Sequence, residues 1–250
     1  MTDYCCSVGM IDITDRRDGC DTDMVSGAVR DRSVRRLDNG QWVSQQLTLI
    51  DEALVSITVN GGEPFDIRCS PCDLRELIIG RLFCDGVISS SEEITDFILH
   101  TDTLSAEIKT VQGKVIQKTK NTAFTWKTEW IEELARNINS STPIFNSTRS
   151  AHSCQLMQGG KIVCCMEDIG RHNAMDKSIG WALENGISLS ECILFTSGRM
   201  PCDSVRKLIR AGIPVAASKA MPSAQAAELA ALHGIKLLHI SPQLGLIEFT

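Results

Sequence analysis

The chain has 250 residues, 43% of them hydrophobic and 22% charged, with a net charge of -6 at neutral pH. That length accommodates one large core or two modest ones, and the composition is too apolar for a disordered chain. The acidic balance disfavours a nucleic-acid surface, and no run approaches the roughly 18 consecutive apolar residues of a membrane-spanning helix.

Residues 1–40 carry many Asp and Arg with little periodicity, and the N-terminus lacks the apolar run of a secretory signal. They predict a flexible polar leader on a cytoplasmic protein. The 11 cysteines are odd in number and irregularly spaced, so most are expected to be reduced. Cys84, Cys164, Cys165 and Cys192 sit inside apolar runs, where a free thiol behaves as a small hydrophobe.

Residues 41–142 read as a small α+β domain. Leu54 to Val59 predicts a strand, turned at Asn60-Gly61-Gly62 into a partner. Ser70-Pro71-Cys72-Asp73 has the form of a capping box with Pro at the first helical position. The helix it opens has an apolar face of Leu74, Leu77, Ile78 and Leu82, closed by Gly86. A hairpin is expected over about 96–120, turning at Gln112-Gly113, then a helix from Thr128 to Asn137 and a connector at Ser140 to Pro143.

Residues 143–250 are more regular. Strand-like runs at Lys161 to Met166, Cys192 to Thr196, Pro214 to Ala217 and Lys236 to Ile240 alternate with helical ones at Arg171 to Leu183, Ser204 to Arg210 and Ala224 to His233. This alternation predicts a three-layer α/β domain with a largely parallel sheet.

In such a sheet ligands bind beyond the carboxyl ends of the strands, so the turns there name candidates. They are Asp168-Ile169-Gly170, Ser197-Gly198-Arg199 and Ser218-Lys219, with backbone amides and cations suited to phosphate oxygens. The following helix places His172 and Asp176 four apart, beside Asn173 and Lys177, on a polar face. The expected pocket uses Arg171, His172, Lys177, Arg199 and Lys219, with Asp168 and Asp176 orienting the basic groups. A zinc-deaminase site is excluded, because no His-x-Glu occurs and Pro201-Cys202 is not followed by x-x-Cys. Phosphate-loop and dinucleotide fingerprints are also absent. Cys69-Ser70-Pro71-Cys72 resembles a redox arrangement, in which a helix N-terminus would activate one thiol; a structural role for both is the competing reading.

These residues carry a likeness. EDIGRHNAMDKSIG and SGRMPCDSVRKLIRAGIPVAASKAMPSAQAAELA resemble the formate dehydrogenase accessory protein (FdhD) family. The stretch VNGGEPFDIRCSPCDLRELIIGRLFCDGVISSSEEI is similar to the family's N-terminal domain. The resemblance covers roughly residues 45–250. It implies a small N-terminal α+β domain, a C-terminal cytidine-deaminase-like three-layer α/β domain, and a homodimer. It also implies sulfurtransferase activity, in which sulfur is taken from a cysteine desulfurase as a persulfide and passed to the molybdenum cofactor, bis-molybdopterin guanine dinucleotide, for formate dehydrogenase. A guanine nucleotide would be the recognisable part of that ligand.

The family's C-terminal cofactor loop aligns with Ile240, Ser241, Pro242, Gln243, Leu244 and Gly245, which include no basic residue. Its persulfide cysteines lie in a Cys-Gly-x-Cys-Gly loop, and the corresponding Thr110 to Thr125 contains no cysteine. His152 in TRSAHS matches a family histidine loosely. Three expectations follow: a cofactor-binding accessory protein, a sulfurtransferase working through Cys69 and Cys72, or a scaffold or nucleotide-binding protein that has lost sulfur transfer.

Overall fold

The computed structural model describes residues 27–111 and 124–249. The first 26 residues, the Gln112-Gly113 turn and Cys5, Cys6 and Cys20 lie outside the described residues.

Two ten-residue strands, β1 (Val29–Asp38) and β2 (Gln41–Ile50), pair antiparallel through Asn39-Gly40, both at positive φ. Part of the expected leader is therefore a β-hairpin. Its base is held where Ala28, Val29 and Ile50 pack on Ile144, Phe145 and Ala151.

A four-stranded sheet follows, ordered β4-β3-β6-β5, from β3 (Ala53–Val59), β4 (Phe65–Cys69), β5 (Ile94–His100) and β6 (Ser105–Thr110). The hairpins β3–β4 and β5–β6 are antiparallel and β3 runs parallel to β6. Helix α1 (Leu74–Cys84) buries Leu74, Leu77, Ile78, Ile79, Leu82 and Phe83, nearly all round. It does so because it is sandwiched. Val55, Ile57 and Ile108 of the sheet and Met175 and Ile179 of a later helix belong to the same apolar cluster. Gly86 at φ +81 ends the helix, as expected. The capping box does not form: Asp73, in the left-handed region, precedes the helix without a side-chain cap.

The second sheet has six strands ordered β12-β11-β10-β9-β7-β8: β7 (His152–Gln158), β8 (Lys161–Asp168), β9 (Cys192–Thr196), β10 (Val215–Ser218), β11 (Lys236–Ser241) and β12 (Gly245–Phe249). The pairs β9–β10 and β10–β11 are parallel, while β7 opposes both β8 and β9 and β12 opposes β11. Strands β8, β9, β10 and β11 thus point one way and end at one edge.

Successive residues of the central strands face opposite sides, as the pleat requires. Ile193, Phe195, Val215, Ala217 and Leu238 pack under α2 (Thr128–Asn137), with its Ile131 and Leu134. Leu194, Ala216 and Leu237 pack under α4 (Arg171–Glu184), α5 (Cys202–Ala211) and α6 (Ala224–Leu232). This is the three-layer architecture expected, with one correction. Helix α2, assigned to the first unit by the 142/143 boundary, is a layer of the second, because its apolar stripe is the cover that this face of the sheet needs. A short helix α3 (Pro143–Thr148) leads into β7.

The two units share a helix crossing with backbones in contact. A Cβ on Gly80 of α1 would lie 1.8 Å from the Asp176 carbonyl oxygen, and one on Gly180 of α4 would lie 2.0 Å from that of Glu76. Only glycine fits at either position.

Candidate functional site

The segment Glu167 to Lys177 ends β8 and opens α4, and most of its polar side chains point inwards. Asp168 and Lys177 are fully buried and form an ion pair at 2.8 Å. Asp168 Oδ2 also accepts from the Ser70 amide at 3.1 Å, and Oδ1 from the Gly170 amide at 2.8 Å and Asn173 Nδ2 at 2.9 Å. The Asn173 amide donates to the Arg68 carbonyl at 2.7 Å as well. Lys177 Nζ donates to the Glu167 carbonyl at 3.0 Å, and to the Ser70 carbonyl and Cys72 Sγ at 3.5 Å each. Ser70 Oγ accepts from the Ile169 amide at 3.0 Å, so the expected helix cap is spent across the junction between the units. Burial pulls the Lys177 ammonium towards neutrality, but Asp168 outweighs it and keeps the group charged.

Asp168, Asn173 and Lys177 therefore form a latch holding the Cys69 to Cys72 loop, and they do not reach an open pocket. Asp176 is also buried. One oxygen takes Lys207, while Oδ2 has no hydrogen-bond partner among the described residues. Burial raises its carboxyl, and Lys207 opposes the shift. His172 faces α5, where burial, Lys207 and Arg171 lower its pKa. These residues belonged to the expected pocket because a polar face read from sequence looks solvated, whereas here a second unit packs on it.

The Cys69-Ser70-Pro71-Cys72 expectation is corrected in sign. Burial pushes both thiols up to about 12; Lys177 pulls Cys72 down but does not overcome it. Neither thiol is a thiolate at neutral pH. Native protein treated with iodoacetamide at about pH 8 should leave both unmodified in peptide mass spectra. Rapid alkylation of Cys72, which is half-buried, would contradict its raised pKa.

An open cavity of about 400 Å³ does lie at the carboxyl edge of the second sheet. Its lining includes Asn139, Thr142, Phe145, Arg149, His152, Ser197 and Lys219. The turns framing it brace one another. The Ser153 amide donates to Ser197 Oγ at 2.9 Å, the Gly198 amide to Thr196 Oγ1 at 3.1 Å, and Ser218 Oγ to the Gly198 carbonyl at 2.6 Å. Ser218 thus shapes a turn without opening onto the cavity. A Cβ at Gly198 would meet Arg171 Cβ at 2.8 Å and His152 Nδ1 at 3.5 Å, so this glycine lets Arg171 and His152 close over the turn.

His152 is kept neutral by burial first, then by the charges of Arg171 and Arg199. Lys219 reaches Asn139 Oδ1 at 2.6 Å, and burial lowers its pKa. Ile240 and Ser241 end β11, Pro242 to Leu244 turn at the same edge, and Gly245 opens β12, with the Leu244 amide on Ser241 Oγ at 3.3 Å. None of the six lines the cavity.

Of the expected site, the structure brings Ser197, Gly198, Arg171, Arg199 and Lys219 to one edge with His152. Sequence reasoning missed Asn139, Thr142, Phe145 and Arg149. The signal lay in PIFNSTRSAHS, where a short helix ends at Arg149 in the left-handed region just before His152. Among the described residues no cluster of His, Cys, Asp and Glu could hold a metal ion.

A profile of the FdhD/NarQ family matches residues 50–123 and 109–243. The chain belongs to this family. It is 29% identical over 227 residues to the sulfur carrier protein FdhD of Bacillus licheniformis, covering 80% of this chain and 86% of that protein. The sulfur carrier protein FdhD of Bacillus subtilis is likewise 29% identical over 231 residues, covering 81% and 87%. A crystal structure assigned as a formate dehydrogenase accessory protein from Desulfotalea psychrophila superposes with a TM-score of 0.78 at 25% identity, covering 89% of this chain and 97% of that one. No helix among the described residues is long and apolar enough to cross a membrane.

Proposed function

We propose that this FdhD-family chain is a cytoplasmic formate dehydrogenase accessory protein that binds bis-molybdopterin guanine dinucleotide at the carboxyl-edge cavity and supports its sulfuration. The observation carrying this reading is that Arg149, Lys219, His152 and the hydroxyl-bearing Ser197 line one cavity, with Arg171 and Arg199 outside the lining but close enough to His152 to lower its pKa. Such a donor set suits phosphate oxygens, with Arg supplying paired donors and Lys a point charge. A cavity of about 400 Å³ has the size for a nucleotide portion of the cofactor, with the rest extending into solvent. Asn139, Thr142 and Ser153 would serve the sugar and base.

Guanosine diphosphate is the direct probe. Its affinity for the full chain should fall roughly tenfold in Lys219→Ala and in Arg199→Ala, the loss of one charge-assisted contact. Wild-type affinity in both variants would remove the cavity assignment.

A second reading is that this chain binds the cofactor without carrying sulfur. It is favoured by the absence of cysteine from Thr110 to Thr125 and by the raised pKa of buried Cys69 and half-buried Cys72. The two readings separate on incubation with a cysteine desulfurase and labelled cysteine. A sulfurtransferase acquires a persulfide on one of its own thiols, whereas a binding protein acquires none. Cysteine desulfurase, formate dehydrogenase and a second copy of the chain are the partners this function calls for, and affinity capture from a native host tests each.

A further inference from the structure

Glu167 is buried at the end of β8 and stands outside the cavity lining. Its carboxylate reaches α3, where Oε2 accepts from the Ile144 amide at 2.9 Å and Oε1 from the Phe145 amide at 2.7 Å. These are first-turn amides that a helix leaves without internal partners, and the residue preceding α3 supplies no side-chain cap. Helix α3 is a wall of the cavity. Phe145 lines it, and Arg149 ends the helix with its guanidinium 5.4 Å from the Phe145 ring centre. Ile144 of the same helix packs on the base of the β1–β2 hairpin. One buried carboxylate thus sets where Phe145 and Arg149 stand.

Few charges face this carboxylate. Lys177 of α4 places its ammonium on the Glu167 carbonyl, but it is committed to Asp168. Asp73, ahead of α1, repels it, and the Cys165 thiol lies nearby on β8 itself. Strand β7 places Ser153 opposite, with His152 next to it on the cavity side. Helix α3 contributes main-chain amides, and Arg149 at its far end. Burial therefore dominates and pushes the Glu167 carboxyl up to about 7, against the pull of the two amides and Lys177.

We propose that Glu167 is the positioning residue of the cavity: ionised, it docks α3; protonated, it releases one α3 amide, loosens the wall carrying Phe145 and Arg149, and weakens the hold on a phosphorylated anion. The proposal rests on the cavity being the ligand site. The carboxylate offers an acceptor oxygen to each amide, whereas a carboxylic acid turns a hydroxyl hydrogen towards one of them. Folding responds with the opposite sign. Because the folded-state pKa is raised, the stability contributed by protonated Glu167 is fully present below the unfolded value of about 4.5. It is lost as pH rises through about 7. A purely structural role would not give opposite trends for stability and affinity.

The test compares guanosine diphosphate affinity of full-length wild type and Glu167→Gln across about pH 5.5 to 8.5. The variant should bind roughly tenfold more weakly at the alkaline end and equally at the acid end. His152 and the nucleotide phosphates titrate in both proteins, so the ratio isolates Glu167. A ratio independent of pH overturns the proposal, whereas a wild type that binds no nucleotide at any pH overturns the cavity assignment instead. A second measurement needs neither ligand nor variant. The amide proton shifts of Ile144 and Phe145 in the wild-type chain should move together with a midpoint near pH 7, and shifts that stay fixed through this range overturn the anchoring.

Discussion

Gly180→Ala should lower the unfolding free energy by about 3 kcal/mol or more, at the upper end of what overpacking costs. The added methyl would stand 2.0 Å from the Glu76 carbonyl oxygen and 2.7 Å from the Gly80 amide nitrogen, both main-chain atoms of α1. No rotamer change relieves a clash between two helix backbones, so α1 and α4 must separate along the junction. Gly80→Ala should do the same through the Asp176 carbonyl, at 1.8 Å. The separation would also strip apolar cover from Leu77, Ile78, Met175 and Ile179, which share one cluster. Urea denaturation followed by circular dichroism measures the loss. Gly212→Ala is a control: its φ of +71 adds backbone strain, but nothing lies within 4 Å of the new carbon, so it should cost only about 1 kcal/mol.

Asp168→Ala has the second large effect, about 3–5 kcal/mol, because it leaves an ammonium buried and unpaired. It also strips acceptors from the Ser70 and Gly170 amides and from Asn173. Lys177→Met should cost less, since Asp168 keeps those three donors. The double variant should recover part of the Asp168→Ala loss, because the stranded charge has gone. Additive losses would mean that the pair is not coupled. Limited proteolysis should locate the damage at the Arg68 to Asp73 loop, which the latch holds down.

The regular half of the fold was legible because strands buried on both faces read as apolar runs between Gly- and Ser-containing turns. Cys192 to Thr196 matches β9 to the residue. Strand β7 was missed for a related reason. It is central and buried, yet Ser153 and Gln155 interrupt its apolar run, and Gln155 is accommodated through Ser141 Oγ at 2.8 Å. The β1–β2 hairpin was missed because most of both its faces is exposed, and such strands leave no hydrophobic alternation to read.

The latch was illegible because its partners are far apart in sequence. Ser70 meets Asp168 across 98 positions, and a one-dimensional reading gives Asp168 and Lys177 to solvent. The cavity edge was legible in the strand-end turns, where Ser197 and Lys219 line it. It was illegible where α3 carries it, because the connector read at Ser140 to Pro143 gave no sign that a short helix follows it, docked by Glu167.

On the proposed function the segment Glu167 to Lys177 has two jobs: Asp168, Asn173 and Lys177 join the units, while Glu167 docks the α3 wall of the cavity beside it. Hydrogen exchange of the full chain, read by mass spectrometry with and without guanosine diphosphate, tests that division directly. Peptides over 70–72 and 173–177 should be strongly protected in both states, and those over 139–153 and 197–199 should gain protection only with nucleotide. Protection gained chiefly over 173–177, with none over 139–153, would return the buried face of α4 to the ligand site and contradict this division.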